Sequence, residues 1–162
     1  MSLLTSAVSM TKAMVQIDST DPGTYEKAMA DWIEQQLSDL SNVLITRENV
    51  LPGRPNLMAE IPGPKHLPAL VMICHMDTVV IGDGWTLPPF EAIEKDGKIY
   101  GRGACDMKSG LACALTAFKN MVKKVGERGE LPEKPFSMIC SVDEEDFMRG
   151  VEAAIKAGWV TK

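Results

Sequence analysis

Two residues apart, His75 and Asp77 follow an apolar run over residues 69–74. If extended backbone persists past that run, both side chains point the same way. An imidazole beside a carboxylate suits a metal ligand with an orienting partner, because the carboxylate fixes the ring tautomer and raises its basicity. The same pair also fits a histidine simply hydrogen-bonded at a strand end. A second cluster, Asp143-Glu144-Glu145-Asp146, follows the apolar run 136–142. Four like charges repel one another unless a cation or water stands among them. A solvated acidic turn is the plainer reading; it suits Asp143 and also Asp146, which is placed to cap a following helix. It suits Glu144 and Glu145 less well, since they emerge directly from a buried strand. Asp106 is the third candidate, in Tyr100-Gly-Arg-Gly-Ala-Cys-Asp-Met-Lys-Ser-Gly110. Gly101 and Gly103 permit close backbone approach there, and Asp106 alone reads as a helix N-cap. Neither a phosphate-loop spacing nor a strand–GxGxxG–helix fingerprint is present, which disfavours a nucleotide-binding domain.

These clusters are separated by 31 residues (75 to 106) and 38 residues (106 to 144). A parallel sheet could bring them together at one edge. Residues 2–17 read as a helix with Leu4, Val8, Thr11 and Val15 on one face. A loop rich in turn formers follows at 18–23, where Asp21 is placed to cap the next helix with Pro22 in its first turn. Tyr25, Met29, Trp32, Ile33, Leu37 and Leu40 then recur at helical spacing. Residues 43–47 and 56–61 read as strands on either side of the Pro52-Gly53 break. The run 69–74 is continuously apolar, as in a strand buried on both faces. His66, in a Pro-flanked loop, reads as surface. Residues 92–100 suggest a hairpin turning at Asp96-Gly97. A helix over 107–124 places Leu111, Leu115, Phe118, Val122 and Val125 on its buried face; a polar loop (126–135), a strand (136–142) and a last helix (147–157) stopped at Gly158 complete the chain. Strands alternating with helices predict an α/β fold, a three-layer αβα sandwich with a mostly parallel central sheet. Sites in such sheets form beyond the carboxyl ends of strands, where the three clusters fall.

The chain has 162 residues, one domain's worth, with 45% hydrophobic and 24% charged residues. That balance excludes a disordered chain. Its 17 basic and 22 acidic residues give a net charge of −5 without a basic block, which argues against nucleic acid as a partner. The apolar run 69–74 is far too short to span a bilayer. No secretory leader is legible at the N-terminus. Four cysteines without a CxxC pair suit reduced thiols in a cytoplasmic protein. Cys74, Cys105 and Cys140 lie near the three clusters and read as small buried side chains.

Taken together, three stretches carry a resemblance: CHMDTV at 74–79, WTLPPFEAIEKDGKIYGRGACDMKSG at 85–110 and SVDEED at 141–146. In this order the chain resembles the co-catalytic zinc amidohydrolases and peptidases that include acetylornithine deacetylase, succinyl-diaminopimelate desuccinylase and aminoacylase. The likeness is collinear and extends to the STDPG loop and the NLMAEIPG strand. It implies two divalent metal ions, zinc foremost, with cobalt or manganese as alternatives. It assigns His75 to the first ion, Asp106 as the bridge and Glu145 to the second. Glu144 becomes the general base, and Asp77 the group that orients His75. It further implies a cis peptide bond at Asp106–Met107. Cys74 and Ser109 stand where the family often has glycine, and neither removes a ligand. The implied substrates are small N-acylated amino acids or peptides, cleaved at an amide bond.

The family pattern also requires a further carboxylate and a late histidine. This chain has no histidine after His75 and no acidic residue after Glu152. The expectation is therefore the N-terminal portion (1–162) of a metallopeptidase-type catalytic domain, without the lid and dimerisation domain or the C-terminal catalytic part. Each ion would have two ligands, one shared, where a catalytic zinc takes about three. The isolated chain should be inactive or nearly so, a non-catalytic fragment or pseudoenzyme being the alternative reading. Self-association through an exposed sheet edge is a further expectation.

Overall fold

The computed structural model describes residues 3–64 and 70–160. The expectations for Ser2, His66, Ala69 and the Leu4 side chain fall outside them. Helix α1 (Leu3–Val15) leads into a two-residue strand β1 (Thr20–Asp21), then helix α2 (Lys27–Leu37). Strands β2 (Leu44–Leu51), β3 (Arg54–Ile61), β4 (Leu70–His75) and β5 (Thr78–Val79) follow. The hairpin β6 (Ile93–Lys95) and β7 (Lys98–Tyr100) turns at Asp96-Gly97 as anticipated. A single wide turn, Ala104–Lys108, opens helix α3 (Ser109–Arg128). Strand β8 (Phe136–Ser141) and helix α4 (Arg149–Lys156) end the order.

The main sheet runs β2-β3-β8-β4. It is mixed, with β4 and β8 parallel and the other two pairings antiparallel. The parallel content is thus one pair rather than most of the sheet. The reason lies at Pro52-Gly53, which closes β2 onto β3 as a hairpin instead of merely interrupting the chain.

Alternation along the strands assigns the layers. Phe136, Met138 and Cys140 of β8 share a face with Leu57 and Ala59 of β3, and α2 and α3 cover it. Met29, Ile33 and Leu37 from α2, and Leu111, Leu115, Phe118, Val122 and Val125 from α3, are all buried, as their spacing predicted. Phe118 meets Phe136 with ring centroids 5.5 Å apart. Asn56 alternates with Leu57 and so points to the other face, where it donates to the Gly150 carbonyl at 2.7 Å. Helix α4 therefore forms the third layer. A Cβ at Gly150 would sit 2.2 Å from the Val142 carbonyl oxygen, so only glycine lets α4 approach the end of β8 so closely.

Three local expectations change. Helix α2 begins at Lys27, not at Asp21, because Asp21 pairs in a strand with β5 and its carboxylate turns to Arg54. Helix α3 runs through Gly126 to Arg128 and closes at Gly129 in the left-handed region. Strand β4 is an edge strand with only one covered face, leaving Ile73 42% exposed. Phe118→Ala should cost about 3–5 kcal/mol, since a fully buried ring would leave a cavity that the sheet cannot close. Urea unfolding monitored by circular dichroism measures this.

Candidate functional site

Parallel pairing of β4 with β8 sets His75 directly opposite Ser141. The chain leaving each strand therefore turns over the same edge of the sheet, and His75 meets Glu144 and Glu145 there. Asp106 arrives from the turn before α3. The preceding Gly103 has φ +75°, a conformation that L side chains rarely adopt, and a Cβ there would lie 2.5 Å from the Thr78 methyl group. The Asp106–Met107 bond is cis, as the resemblance implies.

One ligand atom each from His75, Asp106 and Glu145 lies within 4.8 Å of the others. His75 Nε2 stands 3.1 Å from Asp106 Oδ1 and 3.7 Å from Glu144 Oε2. Its Nδ1 donates to the Asp77 main-chain carbonyl at 3.0 Å. Asp77 Oδ1 sits 3.6 Å from that nitrogen, too long for a hydrogen bond but close enough for charge attraction. It is a buried oxygen without a hydrogen-bond partner. Asp77 Oδ2 accepts from the Glu145 backbone N–H at 2.8 Å, so Asp77 touches both the imidazole and the acidic turn.

Electrostatics follow from this crowding. Burial works against a charged His75, yet the carboxylates of Asp77 and Asp106 overcome it and push the imidazole up to about 9. Burial and the neighbouring carboxylates of Asp106, Glu144 and Asp77 raise Glu145, with the imidazole opposing. Asp77 is also buried, but the imidazole and the backbone N–H groups of the acidic turn hold it below the usual carboxylate range. A cation among these groups would relieve the repulsion that raises Glu145. The donors, one imidazole beside the Asp77 carboxylate and two further carboxylates, fit a divalent ion. Beside them a cleft of about 350 Å³ is lined by Thr78, Val79, Arg102, Cys105, Asp106 and Glu145.

The structure brings His75, Asp77, Asp106, Glu144 and Glu145 to one edge. Asp146 is exposed, as the acidic-turn reading has it, whereas Asp143 departs from that reading. Asp143 is fully buried and its Oδ2 accepts from the first backbone N–H of α4 at 3.2 Å, the capping place expected for Asp146. Cys74 and Cys140 are buried, whereas Cys105 is exposed because it opens onto the cleft. Burial pushes the Cys74 thiol up to about 11, leaving it protonated.

Residues 71–162 match the sequence profile of Peptidase family M20/M25/M40. The chain belongs to this family. Among relatives, it is 44% identical over 92 residues to the succinyl-diaminopimelate desuccinylase of Gluconacetobacter diazotrophicus, covering 56% of this chain and 22% of that one. An uncharacterized metallohydrolase of Methanocaldococcus jannaschii is 30% identical over 161 residues, covering 90% and 38%. The fold matches that of a dinuclear metal-binding peptidase of the family from Bacillus subtilis, with TM-score 0.62 and 17% identity, covering 97% of this chain and 40% of that one. The chain thus spans well under half the length of these relatives. Among the described residues, no helix is long and apolar enough to cross a membrane.

Reasoning from sequence missed the residues that brace the site. Lys108 is fully buried and donates to the Ile17 carbonyl at 2.7 Å; burial pulls its ammonium down to about 8. Arg54, Glu26 and Asn56 are buried as well. The only signal for Arg54 and Asn56 was a polar residue at the mouth of an apolar strand.

The His75 shift has a definite sign. A value raised from 6.5 to about 9 stabilises the fold below pH 6.5, and that contribution disappears as pH climbs through about 9. In chelator-treated protein, the stability difference between the unsubstituted chain and His75→Gln should shrink across this window. Taking the difference removes Lys108, whose shift acts in the opposite direction. Thermal melts against pH measure it, and a difference that grows with pH would contradict the pairing.

Proposed function

We propose that this chain carries part of the catalytic centre of a metal-dependent hydrolase that cleaves amide bonds in N-acylated amino acids or small peptides. The observation behind the reading is the convergence of His75, Asp106 and Glu145 from three separate chain segments to ligand atoms within 4.8 Å. Family membership supports it, as do a relative named as a desuccinylase and a structural neighbour described as a dinuclear metal-binding peptidase.

In this reading His75 would hold one divalent ion and Glu145 a second, and Asp106 would serve both. When bound, two such ions supply Lewis acidity for the amide carbonyl and lower the pKa of water. Asp77 would hold the imidazole at Nδ1 and leave Nε2, beside Asp106, free to ligate. Glu144, 36% exposed beside His75, accepts a proton at its carboxylate and returns it to the leaving nitrogen. The cleft along Gly101–Asp106 receives the substrate. Four free cysteines suit a reducing, cytoplasmic setting.

Among the described residues, three donors would serve the two ions, so each ion would have two with Asp106 shared. The isolated chain should therefore bind zinc or cobalt weakly and turn over little substrate. Isothermal titration with zinc, followed by assays on N-succinyl and N-acetyl amino acids and dipeptides, tests both statements. His75→Ala should abolish measurable binding, and unchanged affinity in that variant would sink the reading. Asp77→Asn should weaken binding by about 10–100-fold, the usual cost of losing a group that orients a ligand. Glu144→Gln should leave affinity near that of the unsubstituted chain, whereas Glu145→Gln should not. Equal losses in the two would show that the base and ligand assignments are wrong.

A further inference from the structure

Beneath the acidic turn lies a cluster of buried charges that the proposed chemistry does not use. Glu26 opens α2 and is fully buried; Arg54 opens β3 and is 6% exposed. Arg54 forks onto Glu26, with Nε donating to Oε2 at 2.8 Å and Nη2 donating to Oε1. It also pairs with Asp21, and its Nη1 stands 3.3 Å from Asp143 Oδ1. Burial works against the Arg54 charge, but these carboxylates hold its pKa above the ordinary value. The Tyr25 ring stacks on the guanidinium with its centroid 4.4 Å away.

Asp143 is where this cluster reaches the site. Its backbone sits at φ +63°, a strained conformation for a residue with a side chain. Its N–H donates to Glu26 Oε1 at 3.0 Å. Its carboxylate accepts from Arg149 Nε and Nη2, both at 2.6 Å. Neighbouring amides are held in the same manner. Val142 N–H donates to Asn56 Oδ1 at 3.1 Å, and Glu145 N–H to Asp77 Oδ2 at 2.8 Å. Three backbone amides around the turn therefore end on three side-chain oxygens from other elements. Glu26 and Arg54 form no pair with His75, Asp106, Glu144 or Glu145; they meet the acidic turn at Asp143, through its backbone N–H and its carboxylate.

Resting on the hydrolase reading above, we propose that Arg54 and Glu26 are positioning residues: they clamp Asp143 in its left-handed conformation and so aim Glu144 and Glu145 at the metal site. Arg54 sets the orientation of the Glu26 carboxylate, and that carboxylate sets the Asp143 amide. The planar fork matters as well as the charge, because a lysine ammonium cannot hold both Glu26 oxygens in one plane. Burial of so many charges favours the fold little, since desolvation offsets much of the attraction. What it specifies is one conformation of the turn.

The test uses the 162-residue chain, Arg54→Lys, Glu26→Gln and a core control, Ile33→Val, which trims the buried face of the helix that Glu26 opens. In metal-free protein, amide hydrogen exchange by NMR should speed up by about tenfold or more at Asp143 and Glu145 in both clamp variants, with β8 amides unchanged. Cobalt titration followed by visible absorption should show affinity lower by about 10–100-fold in the same variants. Ile33→Val should change neither. The proposal is overturned if a folded Arg54→Lys chain keeps the protection at Asp143 and Glu145, or if Ile33→Val reproduces the losses. It is also overturned if both clamp variants fail to fold by far-ultraviolet circular dichroism, because the cluster would then hold the whole domain rather than the turn. Absence of cobalt binding by the unsubstituted chain would count against the metal-site reading, and exchange rates would still decide the clamp.

Discussion

The parallel pairing of β4 with β8 is the constraint on which the site depends. In an antiparallel pair, one strand's carboxyl end lies beside its neighbour's amino end, and the two exits face opposite edges. Here both strands exit on the same edge, in a register that pairs Cys74 with Cys140 and His75 with Ser141. The imidazole and the acidic turn thus become neighbours although 67 residues separate His75 from Val142. Helix α3 is the crossover that makes this arrangement possible. It packs on the face bearing Phe136 and Met138, and the turn at its start carries Asp106 to the same edge. One long-range register therefore places all three donors, and a slip of one residue would turn His75 into the core.

Charge at the site is arranged in two tiers with different logic. On the upper tier His75 faces Asp77, Asp106 and Glu144, and the carboxylates outnumber the cation. Without a metal the imbalance settles on the titrating groups: the imidazole holds its proton to about 9 and Glu145 is raised. A bound cation and the imidazole proton compete for the same nitrogen, so metal affinity and His75 basicity are linked through one atom. On the lower tier Arg54 and Arg149 face Asp21, Glu26 and Asp143. Those pairs are closed by hydrogen bonds and leave little for a ligand to gain. Asp21, Glu26 and Asp77 also bring carboxylate oxygens within 4.8 Å of one another, but Arg54 already neutralises the first two.

What the sequence revealed follows the range of each interaction. The stripes 111–125 and 29–37 were legible because burial repeats with the helical period, and the Asp96-Gly97 turn because its backbone demands are local. The five site residues were legible as three polar clusters at the ends of apolar runs, sharpened by the likeness of their order to a known family. The antiparallel pairing of β3 was not legible, because a Pro-Gly break looks the same whether the chain turns back or runs on. Asp21 read as a cap because its local chemistry suits one; only the position of Arg54, 33 residues later, turns its side chain elsewhere. Asp143 read as solvated because three acidic residues follow it. Its burial depends on two arginines and on Glu26, 117 residues before it in the chain. Partners that distant leave no periodic trace.

The segment 17–21 shows how much of the site is scaffolding rather than chemistry. The Ile17 carbonyl accepts from Lys108, which flanks the turn bearing Asp106. The Ser19 hydroxyl donates to the Met76 carbonyl at 2.7 Å, between His75 and Asp77. Thr20 and Asp21 pair with Thr78 and Val79 just beyond, and the Asp21 carboxylate reaches Arg54 under the acidic turn. Five residues thus touch the supports of all three donor clusters while contributing no donor to the His75–Asp106–Glu145 group. A geometry that must hold separated ligands to a few tenths of an ångström cannot rest on each strand end separately, because each would move on its own. Tying the three ends to one short strap makes their errors common rather than independent. That is a physical reason for a buried lysine at position 108: a long side chain with a single donor head can span from the α3 turn to the strap, and the lowered pKa is the cost of that reach.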